Sequence, residues 1–127
     1  EVFDGSYWRS FLNGLRNIRR WFKVVWYDHN WDSDYFLDVI IFKLKMMRDH
    51  FATANIIEDS LQVSEEIDCV IYLLERYRRD DYGPSLEFLR ANPDLYEVLL
   101  KKGFQQQEED VQKAFKIIGQ NIGRWWD

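Results

Sequence analysis

Cysteine is almost missing from this chain, with Cys69 standing alone. A single thiol excludes an internal disulfide and a structural zinc site built on several thiolates. Flanked by Ile67, Val70 and Ile71, Cys69 is expected to be inert core, and the chain suits a reducing compartment. Histidine is nearly as scarce, the two being His29 and His50. Neither sits in H-x-x-x-H or E-x-x-H spacing or in a recognisable nucleophile motif, so no metal site and no catalytic residue are expected. There is no glycine-rich phosphate loop, no strand alternation and no internal repeat. No apolar run approaches the ~20 residues of a membrane span. The acidic start, without a long apolar stretch, does not match a secretory leader.

Aromatic rings are what the chain has in quantity, 17% of 127 residues. That length supports one core and one domain, residues 1–127. Helical cores usually rely on Leu, Ile and Ala, so a surplus of rings points to a large interface or a stacking site. Charge is uneven. Arg9, Arg16, Arg19, Arg20 and Lys23 against Glu1 and Asp4 give residues 1–26 a balance of +3, and the total of −5 leaves −8 for the remainder. A net-acidic chain is a poor general binder of nucleic acid, whose affinity rests on neutralised phosphates. A local basic strip can still grip one small anion.

Periodicity predicts an all-α fold, a bundle of about four long helices with one or two short ones. Trp8, Phe11, Leu12, Leu15, Ile18, Phe22 and Val25 mark a first helix over 7–26, its arginines forming either a solvated face or an anion-facing strip. Gly14 in its interior suggests a close helix contact. The segment from Tyr27 to Ser33 is a tight link, with Asp32 or Ser33 as the cap of a second helix that runs to about 53. A third helix covers 57–81, unless Ser64 marks a fresh start. Pro84 opens a short helix, Ser85 to Arg90. Asn92 and Pro93 open another that is expected to stop at Gly103. The last helix starts at Gln105 and carries Val111, Phe115, Ile118, Ile122 and Trp125 at 4-3-4-3 spacing, a seam for a bundle or a partner helix. Gly119 and Gly123 share one side and allow close approach.

The acids around His29 match no calcium loop, and capping explains them. The remaining constellation is indole and phenol with guanidinium. Trp26, Trp31, Tyr35, Trp125 and Trp126 can stack on planar groups, and Arg19, Arg20 and Arg124 can hold phosphate through forked hydrogen bonds. The eight together suit a nucleotide-sized anion. The plainer account is that the tryptophans staple helix ends, with Asp32 or Asp127 accepting their N–H groups.

Three stretches carry a resemblance. Arg16-Asn17-Ile18-Arg19-Arg20-Trp21-Phe22, Trp26-Tyr27-Asp28-His29-Asn30-Trp31-Asp32 and Lys43-Leu44-Lys45-Met46-Met47 resemble a group of small bacteriophage proteins with a W-x-D-x-x-W-D turn. Leu73-Leu74-Glu75-Arg76, Asp80-Asp81-Tyr82 and the closing Trp125-Trp126-Asp127 fit the same group. Asn30 stands where the pattern has an acid. The resemblance implies a phage origin and no particular activity. The resulting expectation is a non-enzymatic counter-defence protein of the host cytoplasm, without cofactor and oligomeric through the 111–125 seam. It sequesters a phosphate-bearing signalling molecule or, alternatively, binds a host or virion protein through exposed aromatics. Nucleic acid and membrane are not expected among its partners.

Overall fold

The computed structural model describes residues 5–54, 59–80 and 82–125. Four long helices carry the chain: α1 (Gly5–Trp26), α2 (Ser33–Ala54), α3 (Ser60–Arg79) and, after the short α4 (Leu86–Ala91), α5 (Tyr96–Asn121). Single 3-10 turns at Pro93–Leu95 and Ile122–Arg124 flank α5, and no strand occurs among the described residues. This is the all-α helical bundle that the periodicities predict. Contacts divide it into two compact units, Glu1–Val39 and Ile40–Asp127.

The first unit holds α1, the bend and the opening turns of α2. The bend is built as its composition predicts. Asp32 caps α2, its side chain accepting from the Asp34 N–H at 2.9 Å, and the Asp28 N–H returns to the Val25 carbonyl at 3.2 Å. The α1 stripe meets a different fate from a core helix. None of its residues is buried, and Gly14 has nothing within 4 Å of where a Cβ would stand.

The second unit is organised on α3 and α5. Val63, Ile67, Val70 and Leu74 recur at 4-3-4 spacing and are at most 1% exposed, so one face of α3 is dry. Cys69 is exposed, against expectation. Its neighbours in sequence are core, but at 100° per residue it points away from the stripe they form. Ser64 lies inside the helix, its hydroxyl donating to the Arg48 carbonyl of α2 at 3.2 Å, so no new helix starts there. Arg48 also reaches Asp68 at 2.8 Å, and Lys45 pairs with Glu75. Asp80 ends α3 with φ 57°, its N–H facing the carbonyls of Arg76 and Tyr77. Aspartate tolerates this left-handed position better than most residues.

Two sequence expectations fail in α5. The helix runs through Gly103 without a break. Gly103 is buried because a Cβ there would come within 3.1 Å of the Tyr82 carbonyl oxygen. The buried side of α5 is Gly103, Asp110 and Ala114, one residue behind the predicted seam. Phe115 and Ile122 of that seam stay 40% and 58% exposed. Small residues face α3 because they let two backbones approach closely, and large side chains flank the contact. Asn92 does not cap the helix that follows it. Its amide donates instead to the Phe88 carbonyl at 3.0 Å and closes α4, whose start is capped by Ser85.

The glycines separate in a testable way. Gly119 has open space for a Cβ whereas Gly103 does not. Gly119→Ala should raise the stability of the chain by about 0.5–1 kcal/mol through helix propensity alone. Gly103→Ala should lose that gain to the Tyr82 contact, and urea titration of both variants checks the difference.

Candidate functional site

The eight candidate residues fall on both units. Arg19, Arg20, Trp26, Trp31 and Tyr35 belong to the first, Arg124, Trp125 and Trp126 to the second. In the first, the bend forms an aromatic step. His29 stacks on Trp31 with ring centres 4.3 Å apart and meets Tyr35 edge-on at 4.8 Å. Trp31 is 79% exposed, so this step is open to solvent. Arg19 and Arg20 are exposed on α1.

Also on α1, Phe22 and Trp26 stack at 5.5 Å, one turn apart. Ile18, Phe22, Val25 and Trp26, with Trp21 and Asn17 at the edge, line an open apolar depression of about 540 Å³. Further toward the N-terminus Trp8 and Phe11 continue the strip, stacked at 5.7 Å. Ring stacking at i, i+3 and i, i+4 keeps these side chains on one stripe. Sequence periodicity finds the stripe but reads it as core.

In the second unit the tail residues are already committed. Arg124 donates to Glu66 at 2.6 Å, and the Trp125 indole N–H donates to the other oxygen of the same carboxylate at 3.1 Å. Trp125 is buried, so its ring staples the chain end to α3. The acceptor is Glu66, not the Asp32 or Asp127 suggested by the sequence. Trp126 and Asp127 lie outside the described residues. Burial alone pushes the Glu66 carboxyl up, but the hydrogen bonds from Trp125 and Arg124 outweigh it and hold the carboxyl below its ordinary value.

The most demanding polar group was not among the candidates. Asp110 sits in the α3–α5 contact and accepts three hydrogen bonds. Two come from Arg76, from Nε and Nη2 at 2.6 Å each, and one from the Tyr82 hydroxyl at 2.6 Å. Arg76 lies over the Tyr82 and Tyr72 rings at 5.3 and 5.6 Å. Burial and then the bond to Asp110 push the Tyr82 phenol up to about 12. Beside this clamp Tyr82, Pro84, Leu89, Tyr96, Leu99 and Phe104 help to line a small cleft of about 160 Å³. A sequence signal existed: Gly103, Asp110 and Ala114 share a helix phase, and an acid on a small-residue stripe demands a partner. No group of three or more His, Cys, Asp or Glu side chains gathers as a metal site among the described residues. Compared with known proteins, the chain matches no family model, no curated protein and no solved structure.

Asp110→Ala leaves a half-buried guanidinium without its carboxylate. Breaking such a pair in the interior costs ~3–5 kcal/mol, and Arg76 is 32% exposed, so the lower end applies. Tyr82→Phe removes a single bond and should cost about 1 kcal/mol. Denaturant titration of the two variants tests this order. The Glu66 clasp predicts a pH dependence. Its folded carboxyl lies below the ordinary 4.5, so its stabilisation is complete above that value. The stabilisation is lost as pH falls through the depressed folded value. The indole N–H resonance of Trp125 should shift in that acid window and not between pH 6 and 8, and Glu66→Gln should abolish the transition.

Proposed function

We propose that this chain is a non-enzymatic interaction module whose recognition surface is the apolar side of α1. The observation that carries the reading is the exposure of that side: Ile18, Phe22 and Trp26 are 65, 58 and 69% exposed on a helix with no buried residue. Monomeric proteins rarely keep a long apolar strip in water without a partner that covers it. The strip is an open face, the form a docking module takes, whereas ligand pockets are concave and enclosing. A phage accessory role against host defence, in the host cytoplasm, is proposed on the resemblance to small phage proteins alone.

A second reading, the sequestration of a nucleotide-derived signalling molecule, is favoured by the open step of His29, Trp31 and Tyr35, on which a base can stack. Arg124 and Trp125 are held by Glu66, Arg124 through its Nη2 and Trp125 through its indole N–H. Isothermal titration with cyclic nucleotides and ADP-ribose derivatives tests this second reading. Saturable heat at micromolar concentration supports it, and no heat with any of them ends it.

The docking reading has its own test. Polar substitutions on a free face act like other surface changes, within about 0.5 kcal/mol. Ile18→Ser with Trp26→Ser in the full chain should therefore leave the urea midpoint almost unmoved. A loss of several kcal/mol means that the stripe is core, and the reading falls.

A further inference from the structure

The occupant of the α1 face can be narrowed by the charges beside it. Between Gly5 and Trp26 the helix carries Arg9, Arg16, Arg19, Arg20 and Lys23 and not one Asp or Glu. None of these five cations has an ion-pair partner among the described residues. At 100° per residue, Arg9, Arg16, Arg20 and Lys23 fall within a sector of about 60°, and Arg19 lies some 40° beyond it, just inside the edge of the apolar stripe between Trp26 and Leu12. The stripe itself, from Trp21 through Tyr7, Ile18, Phe11 and Phe22 to Leu12, covers about half of the circumference along roughly 33 Å of helix. Cations border one edge of it and Ser10, Asn13 and Asn17 occupy the other side.

We infer that α1 lies on the surface of an anionic lipid bilayer, with its apolar side in the acyl–headgroup boundary and its cations against lipid phosphates. The inference rests on the reading of this face as a docking surface and names its partner. A helix made for a bilayer surface combines strong amphipathicity with low net hydrophobicity, cations on the polar side, and Trp, Phe and Leu on the other. α1 has each of these. Its rings, Trp8, Trp21, Phe22 and Trp26, are of the kind that favours the headgroup level. A helix that inserts into a protein groove needs only a few anchors at i, i+3, i+4 and i+7, and both signs of charge meet it there. Half a circumference of apolar surface beside one sign of charge fits a planar surface of the opposite sign instead.

The absence of a spanning helix does not bear on this. No described helix is long and apolar enough to cross a membrane, and a helix lying in the interface crosses nothing. Nor does the net charge of −5 decide it. In physiological salt, attraction is set by groups within about 8 Å of the surface, and α1 itself brings only cations to it.

The test uses the full chain with large vesicles, either of equimolar phosphatidylglycerol and phosphatidylcholine or of phosphatidylcholine alone. The inference expects co-sedimentation with the anionic vesicles, a blue shift of tryptophan emission, and loss of both in 0.5 M salt. Arg16→Gln, Arg19→Gln and Arg20→Gln combined should weaken partitioning roughly 100-fold, at about fivefold per charge. Phe22→Ser with Trp26→Ser should abolish the blue shift while the urea midpoint stays put. Equal binding to both vesicle types overturns the charge argument. No binding to either, with the midpoint still unmoved, overturns the bilayer and leaves the docking face intact. A stable dimer in sedimentation velocity that Trp26→Ser dissociates makes a second copy the occupant instead. If the serine variants unfold, it is the docking reading itself that fails.

Discussion

Asp110 is a buried carboxylate in the contact between α3 and α5, and the two helices are joined through it. A buried carboxylate is tolerable only when donors surround it. Arg76 supplies two from the last turns of α3, and Tyr82 supplies a third from just beyond the helix end. That requirement explains several features at once. Asp80 turns the chain in a left-handed conformation directly after α3, which brings Tyr82 back toward α5. Gly103 is left without a side chain because the Tyr82 backbone passes over it. Ala114, one helical turn beyond Asp110, is fully buried.

A contact built from Gly, Ala and Asp uses few large side chains, and this bears on the aromatic surplus. Trp125 is buried as a staple on Glu66, yet Trp8, Trp26 and Trp31 are all more than half exposed. These exposed rings belong to α1 and the bend. Short helices in isolation are marginal in water, and most helical stability comes from burying an amphipathic face. α1 has such a face and does not bury it, which is why a partner surface is the natural complement to the sequence of this helix.

Much of the fold was legible because it follows local rules. The α1 and α2 boundaries fall where the apolar period stops and the Asp-rich bend begins, and Asp32 caps α2 through its own side chain. Phase was harder. Cys69 was read from its neighbours in the chain, although helix geometry turns it outward. The α5 seam was drawn through Val111 and Phe115 because they are large, whereas close packing selected Asp110 and Ala114 beside them. Gly103 reads as a stop because glycine ends many helices, and only a tertiary neighbour, the Tyr82 backbone, reveals that it marks close approach. Among the candidate site residues, composition identified groups able to bind but not what they already bind. Arg124 and Trp125 are committed to Glu66, fifty-eight and fifty-nine positions earlier, a pairing that no local pattern encodes.

Stability resides in the α3–α5 contact, while α1 holds its apolar side free. Residue-resolved hydrogen exchange on the full chain, without any partner, addresses this most directly. Local opening free energies range from near zero in weakly packed segments to the global value in the core. The amides of α3 from Ile67 to Leu74 and of α5 from Gln107 to Ala114 should exchange only through global unfolding, and those of α1 from Leu15 to Val25 orders of magnitude faster. Protection of α1 equal to that of α3 would mean that its stripe is packed as core, contradicting the account.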